Sequence, residues 1–568
     1  MLPWLDSPVK LHSDRADTSC GTLTPEQCAY RRGYWRHWYT ADHVYALSTI
    51  YFLCAMTGVF ILAHFSRHAS PRVKDTGFWR KTVALLRYCS YRGFRVSKLR
   101  YWSPPLGVIL VIATGAVFFF SMALGPKPYY WPNTKTVTYG GSPPIATRSG
   151  FMALALLPFV MLLASKTNLV TAFTGVSHEK LQIFHHWASY AMFVLALMHT
   201  FPFIVYNIKI GDLVDQWKTQ VTYWTGVAAL IPQAWLTFMS IPFFRNRFYE
   251  LFKGTHFLAA LLFILFLFFH CDFILSSWDY FIAMATLYSS CWLAATVKTF
   301  IFGIHTAHLE PTSSGLLRLS IPTVMGWKAG QHVFLRFCTG GHILTAHPFT
   351  ISSSSPGQFV EEKMPVKMNE MVFYIAVNKG LTARLATLAC KSSPTVPVYI
   401  EGPYGGPSSS DFSRFDTVLI VSGGSGAGFS IGLLEEIQKA KSGTKCRVVY
   451  ATRTTKMAQW YIEEMERADP AGTCAFSVHV TRDEEAKAQV TETKRVTVGA
   501  SDSQIQYARP DIPSVISALG NEANGRIAIF TCGPREMLYD VRRGAAAAQW
   551  KVWQGALQEV YLHSEAFE

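Results

Sequence analysis

Four histidines carry the first chemical signal in this sequence. His185 and His199 stand near the two ends of the apolar run FHHWASYAMFVLALMHT, residues 184–200. His256 and His270 stand in THFLAALLFILFLFFHC, residues 255–271, and both pairs are fourteen residues apart. A helix turns about 100° and rises about 1.5 Å per residue, so rings fourteen positions apart share nearly one face, roughly 21 Å apart along the axis. His186 falls roughly 140° from His199 on the same helix and is expected to point elsewhere. If both helices run the same way, His185 shares a depth with His256, and His199 with His270. Two facing neutral imidazoles at one depth can be the axial ligands of a six-coordinate haem iron, and two depths imply two stacked haems. A single intramembrane histidine is more often an interfacial or hydrogen-bonded residue. The repeated spacing on two helices is what argues for ligation. His64 and His68 are also one turn apart, but they lie at the charged exit of an apolar run without obvious further ligands.

A second chemistry begins at FDTVLIVSGGSGAGFSIGLLEEIQ. An apolar strand, 417–422, runs into Gly423, Gly424, Ser425, Gly426, Ala427 and Gly428, and a helical pattern follows. That order permits close backbone approach to a phosphate and offers free N–H groups at a helix N-terminus. The next strand, CRVVYATR, ends at Arg453, with Lys456 close by. A cation there suits the 2′-phosphate of NADPH; the alternative is a solvated loop arginine. In IAIFTCGPREML, Cys532 closes another strand, where open α/β sheets bind ligands, although a buried structural thiol fits equally well. The stretches AHPFTISSS and EGPYGGP lie in an earlier region of short strands, and the glycines of the second allow close backbone approach to a ligand.

These groups need two kinds of scaffold. Half of the 568 residues are hydrophobic, and the formal net charge is +15. Charges are sparse over residues 101–300 and ordinary after 302, which separates a membrane half from a soluble half. A span needs roughly 20 apolar residues. Seven candidates occur at about 44–65, 105–124, 150–166, 184–206, 222–241, 255–275 and 279–301. The third is short, and the fifth carries Pro232 and Gln233. The loop 67–100 holds ten Lys and Arg against Asp75 alone, so the positive-inside rule puts it in the cytosol, where it could also meet anionic lipid. The basic loop FFRNRFYELFKGTH falls inside and the acidic CDFILSSWDY outside, leaving the N-terminus outside and the C-terminal half cytosolic. A juxtamembrane location explains the basic charge, so nucleic-acid binding is not expected. The N-terminus lacks the continuous apolar core of a cleaved signal peptide, and the first span reads as an uncleaved anchor. Cys20 and Cys28 precede that span; a disulfide and two free thiols both fit. The organisation is an outer segment, 1–43, a helical membrane bundle, 44–301, an antiparallel β-barrel, 302–411, and an α/β domain, 412–568.

HPFT, GPYG, the GGSGAG turn and CGP, behind spans with paired histidines, together resemble the fungal ferric reductase transmembrane components, within the wider superfamily that includes NADPH oxidases. The resemblance covers roughly residues 150–568. It implies a ferredoxin-reductase-like soluble unit that binds FAD and NADPH, and two b-type haems in the membrane. It places His347, Pro348, Phe349 and Thr350 along the isoalloxazine and ribityl region, and Gly402, Pro403, Tyr404 and Gly405 near the flavin pyrophosphate or ring. Ser425 and Gly426 would take phosphate, Cys532 and Gly533 would face the nicotinamide, and Pro534 would belong to the NADPH-binding set. Arg509, in ARPDI, matches the family's G-R-P-D segment with Ala508 in place of the usual glycine, and would contact NADPH. Phe567 resembles a terminal aromatic that covers the flavin, although Glu568 follows it here. The polar stretch 483–507 reads as an insertion or loop. The implied function is electron transfer from cytosolic NADPH to extracellular ferric chelates or cupric ion at the plasma membrane, with vacuolar or other endomembranes as alternatives. A separate ferrous uptake system would take the product. The outer acids Asp212, Asp215, Asp272 and Asp279 could attract a cation or be solvated loop charges. A superoxide-producing oxidase is the rival activity, and a non-enzymatic receptor or channel with a nucleotide-sensing tail the rival class.

Overall fold

The computed structural model describes residues 20–99, 101–339, 345–354, 369–391, 394–407, 412–440, 443–482, 504–523 and 525–566. The principal helices before residue 301 are α1 (Pro25–Thr40), α2 (Leu47–Ser66), α3 (Gly77–Tyr91), α4 (Leu106–Leu124), α5 (Pro144–Ala164), α6 (His178–Ile210), α7 (Val221–Met239), α8 (Tyr249–Cys271) and α9 (Ser277–Phe300). The chain divides into two units. One comprises 1–68 and 111–294, the other 69–110 and 295–568.

Among the described residues, six helices are long and apolar enough to cross a bilayer: His37–Ser66, Leu106–Leu124, Pro144–Ala164, His178–Ile210, Leu251–Cys271 and Ser277–Phe300. The expected span at 222–241 is present as α7, but it is not among the six. Thr222, Tyr223, Thr225, Gln233 and Thr237 dilute its apolar character, and Thr225 and Gln233 are buried against the bundle. It still returns the chain across the bundle, because the histidines pair at both levels and α6 and α8 therefore run in parallel. The third span is also longer than expected. It begins at Pro144, with polar Thr147, Arg148 and Ser149 buried in its first turns. It is the central helix of the bundle: 78% of its most apolar window is buried, against 11–22% for the other five. Arg148 satisfies its guanidinium on the carbonyls of Ala123 (2.8 Å) and Pro126 (2.7 Å), so its burial leaves these donors paired. Cys20 and Cys28 form a disulfide.

The second unit opens with a six-stranded antiparallel sheet: β1 (His305–Pro311), β2 (Leu316–Thr323), β3 (His332–Phe337), β4 (His347–Thr350), β5 (Asn369–Ala376) and β6 (Thr395–Tyr404). Its order is β4-β3-β6-β1-β2-β5. Alternating residues such as Leu317, Leu319, Val333, Leu335, Phe337, Phe373 and Val398 form its core, as the period of two in the sequence requires. A short helix, α10 (Leu381–Ala389), follows β5. A parallel sheet comes next: β7 (Thr417–Gly423), β8 (Lys445–Thr452), β9 (Ala475–Val480), β10 (Gln504–Gln506), β11 (Arg526–Gly533) and β12 (Glu559–Ala566), in the order β10-β9-β8-β7-β11-β12. Helices α11 (Ala427–Lys439), α12 (Thr455–Ala468), α13 (Ile512–Glu522) and α14 (Arg535–Trp553) connect its strands. Every residue of β7 is buried, as a central parallel strand should be. The strand order reverses at β7, so a ligand crevice opens beyond its carboxyl end.

The basic segment 69–110, expected as a cytosolic loop but counted with the 44–301 membrane bundle, folds with this second unit. Helix α3 packs on α14 and β12. Arg87 donates from Nη1 to the Val560 carbonyl and from Nη2 to Glu559 Oε1, both at 3.0 Å. Arg414 Nη2 takes the other Glu559 oxygen at 2.8 Å. Arg526 pairs with Asp75 at 2.8 Å, and Arg542 donates to the Ser103 carbonyl. Burial raises the Glu559 carboxyl, but the Arg87 and Arg414 guanidiniums outweigh it and hold the group below its ordinary value. Its contribution to stability is therefore complete above about pH 4.3, the ordinary glutamate value, and is lost as pH falls through the depressed one. Glu559→Gln is expected to cost about 1–3 kcal/mol at neutral pH, because two guanidiniums lose one carboxylate. Thermal unfolding of the full chain checks this, and the gap to the parent protein should close on acidification.

Candidate functional site

The two imidazole pairs meet as their spacing requires. Ring centroids of His185 and His256 are 6.5 Å apart, and those of His199 and His270 are 5.7 Å apart. Two imidazoles bound on opposite sides of one metal at about 2 Å each would put their centroids roughly 6 Å apart. The second-ring nitrogens are equally informative. His185 Nδ1 lies 2.9 Å from the Val160 carbonyl, His199 Nδ1 2.8 Å from that of Ala146, and His270 Nδ1 2.6 Å from that of Thr222. A carbonyl only accepts, so in each pair Nδ1 carries the proton and Nε2 keeps its lone pair for a metal. His256 departs from this pattern, and its buried Nδ1 has no hydrogen-bond partner among the described residues.

Two glycines make this geometry possible. A Cβ at Gly150 would stand 2.5 Å from His199 Nδ1, and one at Gly226 would stand 2.7 Å from His270 Nδ1. Each glycine lies four residues after the carbonyl that its histidine reaches, Ala146 or Thr222. The histidine thus enters the helix surface where no side chain blocks it. A cavity of about 470 Å³ adjoins the outer pair and is lined by Gly150, His199, Asn207, Gly226, Gln233 and His270. Ring centroids 5.7–6.5 Å apart, an oriented tautomer on three of the four histidines and a glycine-cleared cradle at the His199–His270 pair fit ligation of a porphyrin iron. Asp212 also lines the cavity and accepts from Gln216 at 2.6 Å. Among the described residues, no group of three or more His, Cys, Asp or Glu is arranged to hold a metal ion by itself.

In the antiparallel sheet, β3 stands between edge strand β4 and inner strand β6, and His332 is the register partner of both Thr350 and Tyr404. Tyr404 is buried and donates to Glu401 Oε1 at 3.0 Å. Lys298 Nζ lies 5.1 Å from its ring centroid, and the rings of Phe334 and His332 lie beside it. Gly402, at φ 147°, and Gly405, at φ 63°, bend the chain next to Pro403 in conformations that side chains disfavour. Phe349, expected along the flavin, packs its ring against Phe337 and Phe373 in the sheet core. Phe567 lies outside the described residues.

At the end of β7, Gly424–Gly426 form a single tight turn before α11. Gly424 has φ 57° with open space beyond it, and Ser425 is exposed. Gly426 and Gly428 are buried for packing: a Cβ on the first would meet the Cys532 carbonyl at 2.5 Å, and one on the second would strike Ser352 Oγ. The surface left for a phosphate is therefore Gly424 and Ser425. Beneath it, the Tyr450 hydroxyl donates to the Gly424 carbonyl at 2.9 Å. The Tyr450 ring stacks on Tyr461 at 3.8 Å, and Tyr461 is hydrogen-bonded to Ser430. Nothing in the local pattern at 450 announces this support.

Arg453 and Lys456 are exposed just beyond β8. Arg509 pairs with Glu536 at 3.1 Å while remaining largely in solvent. Cys532 is fully buried, and burial, then the nearby Glu565 carboxylate, pushes its thiol well up, so it is a neutral group. Gly533 follows it, tight against Met537, and Pro534 caps α14. Glu565 is the register partner of Cys532 on β12 and lies 2.7 Å from His563 Nε2, a juxtaposition absent from the sequence reading.

Three family models match the chain. Ferric reductase like transmembrane component covers residues 149–267, FAD-binding domain 301–408 and Ferric reductase NAD binding domain 415–546. The probable cell surface ferric reductase kap2 of Aspergillus oryzae is 31% identical over 408 residues, 68% of this chain and 53% of that protein. Ferric/cupric reductase transmembrane component 7 of Saccharomyces cerevisiae is 27% identical over 558 residues, 88% of this chain and 86% of its own. The matched region thus spans about half of the first relative and most of the second. Among solved structures, a ferredoxin NADP+ reductase from Neisseria gonorrhoeae with bound FAD and NADP aligns with 46% of this chain and 97% of its own, at 11% identity and a TM-score of 0.32. The site and its scaffold are those of a multi-pass membrane oxidoreductase with FAD-binding and NAD-binding domains. The chain belongs to the ferric reductase family.

Alanine normally favours a helix over glycine by about 1 kcal/mol. Gly150→Ala and Gly226→Ala should nevertheless displace His199 and His270; with a haem held by each histidine pair, haem content would then fall from two per chain towards one. The ratio of haem to protein, read from reduced-minus-oxidised spectra, checks this; full retention of both haems would contradict the cradle.

Proposed function

We propose that the protein is a transmembrane metalloreductase that takes electrons from cytosolic NADPH and delivers them to extracellular ferric chelates, with cupric ion as a further acceptor. The observation that carries this reading is the pair of facing histidine couples on α6 and α8, with Nδ1 of three of the four fixed on helix carbonyls. When bound, FAD turns the hydride of NADPH into single electrons and two b-type haems relay them through the bilayer. His185 and His256 would hold the inner iron, and His199 and His270 the outer one. Their neutral imidazoles leave the net charge of each site to the porphyrin. Tyr404, His347 and the Gly402–Gly405 turn would seat the flavin, with the Tyr404 hydroxyl oriented by Glu401. Backbone N–H groups at Gly424 and Ser425 would take the pyrophosphate of the nicotinamide nucleotide. The uncharged Cys532 would present no anion to the nicotinamide. Arg453 and Lys456 would bind the 2′-phosphate and select NADPH over NADH.

The basic loops support an N-terminus outside and nucleotide domains in the cytosol. The cell-surface description of the Aspergillus relative supports the plasma membrane. The ferrous product would then pass to a separate uptake system. Ferrous iron trapped by a ferrous chelator should form from NADPH and a ferric chelate, and superoxide dismutase should leave its rate unchanged. Inhibition by the dismutase would instead identify oxygen as the direct acceptor. Arg453→Gln with Lys456→Gln should raise KM for NADPH about 10–100-fold, the value of lost charge-assisted hydrogen bonds, and leave KM for NADH alone. Equal effects on both nucleotides would contradict the assigned role.

A further inference from the structure

Helix α3 has two opposed faces, and only one of them is covered. Ala84, Arg87 and Tyr91 project towards α14 and β12: Ala84 is buried, and Arg87 holds Glu559 and the Val560 carbonyl. About 180° around the helix, Phe78, Leu85, Leu86 and Cys89 point away from that contact. Phe78 is 83% exposed, Leu86 62% and Leu85 49%. Arg92 borders one side of this apolar strip, beside Lys81, whose Nζ lies 5.8 Å from the Trp553 ring of α14, and Arg72 and Lys74 precede it. The helix contains no acidic residue.

Its place in the chain limits what can cover that strip. Spanning helix α2 ends at Ser66 and spanning helix α4 begins at Leu106, so both ends of the α3 segment are tied to the same side of the bilayer. The ten residues between Ser66 and Gly77 reach at most about 35 Å when fully extended. An apolar strip with a basic border, tethered at that distance, has the composition of a helix that lies in a headgroup layer. The absence of acids favours an anionic lipid surface over a basic protein partner.

We propose that α3 is an interfacial helix: Phe78, Leu85 and Leu86 enter the leaflet, Arg92 lies among anionic headgroups, and Arg87 on the opposite face carries β12. The nucleotide-binding domain thereby gains a lipid attachment through α3, besides its chain connection through the β-barrel to α9. None of these lipid-facing residues touches a cofactor or substrate site.

The test uses the full chain in nanodiscs containing phosphatidylserine. Phe78→Cys carries an environment-sensitive fluorophore, with the exposed Cys54, Cys89 and Cys390 replaced by serine. Leu86→Cys on the same background is a second, independent position, and retained haem and flavin absorbance reports folding. Quenchers fixed on lipid chains should dim both labels at least twofold, while aqueous iodide should have little effect. Strong iodide quenching would overturn the proposal by placing the strip in water. Protection from both quenchers would overturn it as well, by showing that protein covers the strip.

Discussion

The hydrogen bond from an imidazole Nδ1 to a helix carbonyl is the constraint on which the membrane half depends. Lipid offers no water to a freed ring nitrogen, so a buried histidine must find a partner for both nitrogens or lose several kcal/mol. The carbonyls of Val160, Ala146 and Thr222 supply one partner and, by accepting only, decide the tautomer. The other nitrogen keeps its lone pair, on a ring whose centroid lies 5.7–6.5 Å from that of its partner on the neighbouring helix. The absence of a Cβ at Gly150 and Gly226 makes the approach possible, and the buried, central position of α5 follows from its role as the surface that His185 and His199 lean on.

The same logic recurs in the soluble half with different atoms. A nucleotide phosphate needs exposed backbone N–H groups, which requires a turn that side chains would obstruct. Gly424 provides the turn, and the Tyr450 hydroxyl fixes its carbonyl from below. Gly426 and Gly428 let the end of β11 and Ser352 pack close to the start of α11. One glycine-rich stretch thus serves a ligand surface and two packing contacts. The Glu559 carboxylate has a comparable double task, since it joins Arg87 of the segment between the first two spans to Arg414 beside the nucleotide sheet.

Much of this was legible in the sequence because it depends on periodicity. The fourteen-residue spacing, the strand–glycine–helix order and the alternating strands of the antiparallel sheet are local patterns that survive folding unchanged. What stayed hidden depends on neighbours distant in the chain. Gly150 and Gly226 look like ordinary small residues of a span until His199 and His270 are placed against them. The third span read as short because Thr147, Arg148 and Ser149 look like a loop, yet the bundle buries all three. α7 fell outside the most apolar helices because its threonines, Tyr223 and Gln233 dilute its apolar character, and the bundle buries Thr225 and Gln233. The basic loop read as a charged cytosolic connection, and only the fold shows Arg87, Asp75 and the Ser103 carbonyl engaged with the nucleotide-binding domain. Phe349 lies within a motif that points to flavin, but strand alternation turns its ring into the sheet core.

Two facing imidazole couples at two depths are the element from which the electron path derives. Electron paramagnetic resonance of the purified, oxidised protein, combined with total haem quantitation, tests them most directly. Two low-spin ferric haems per chain are predicted, one reporting His185 with His256 and the other His199 with His270. A single haem, a high-spin signal from a vacant axial position, or a protein without haem would contradict the ligation assigned to these four residues.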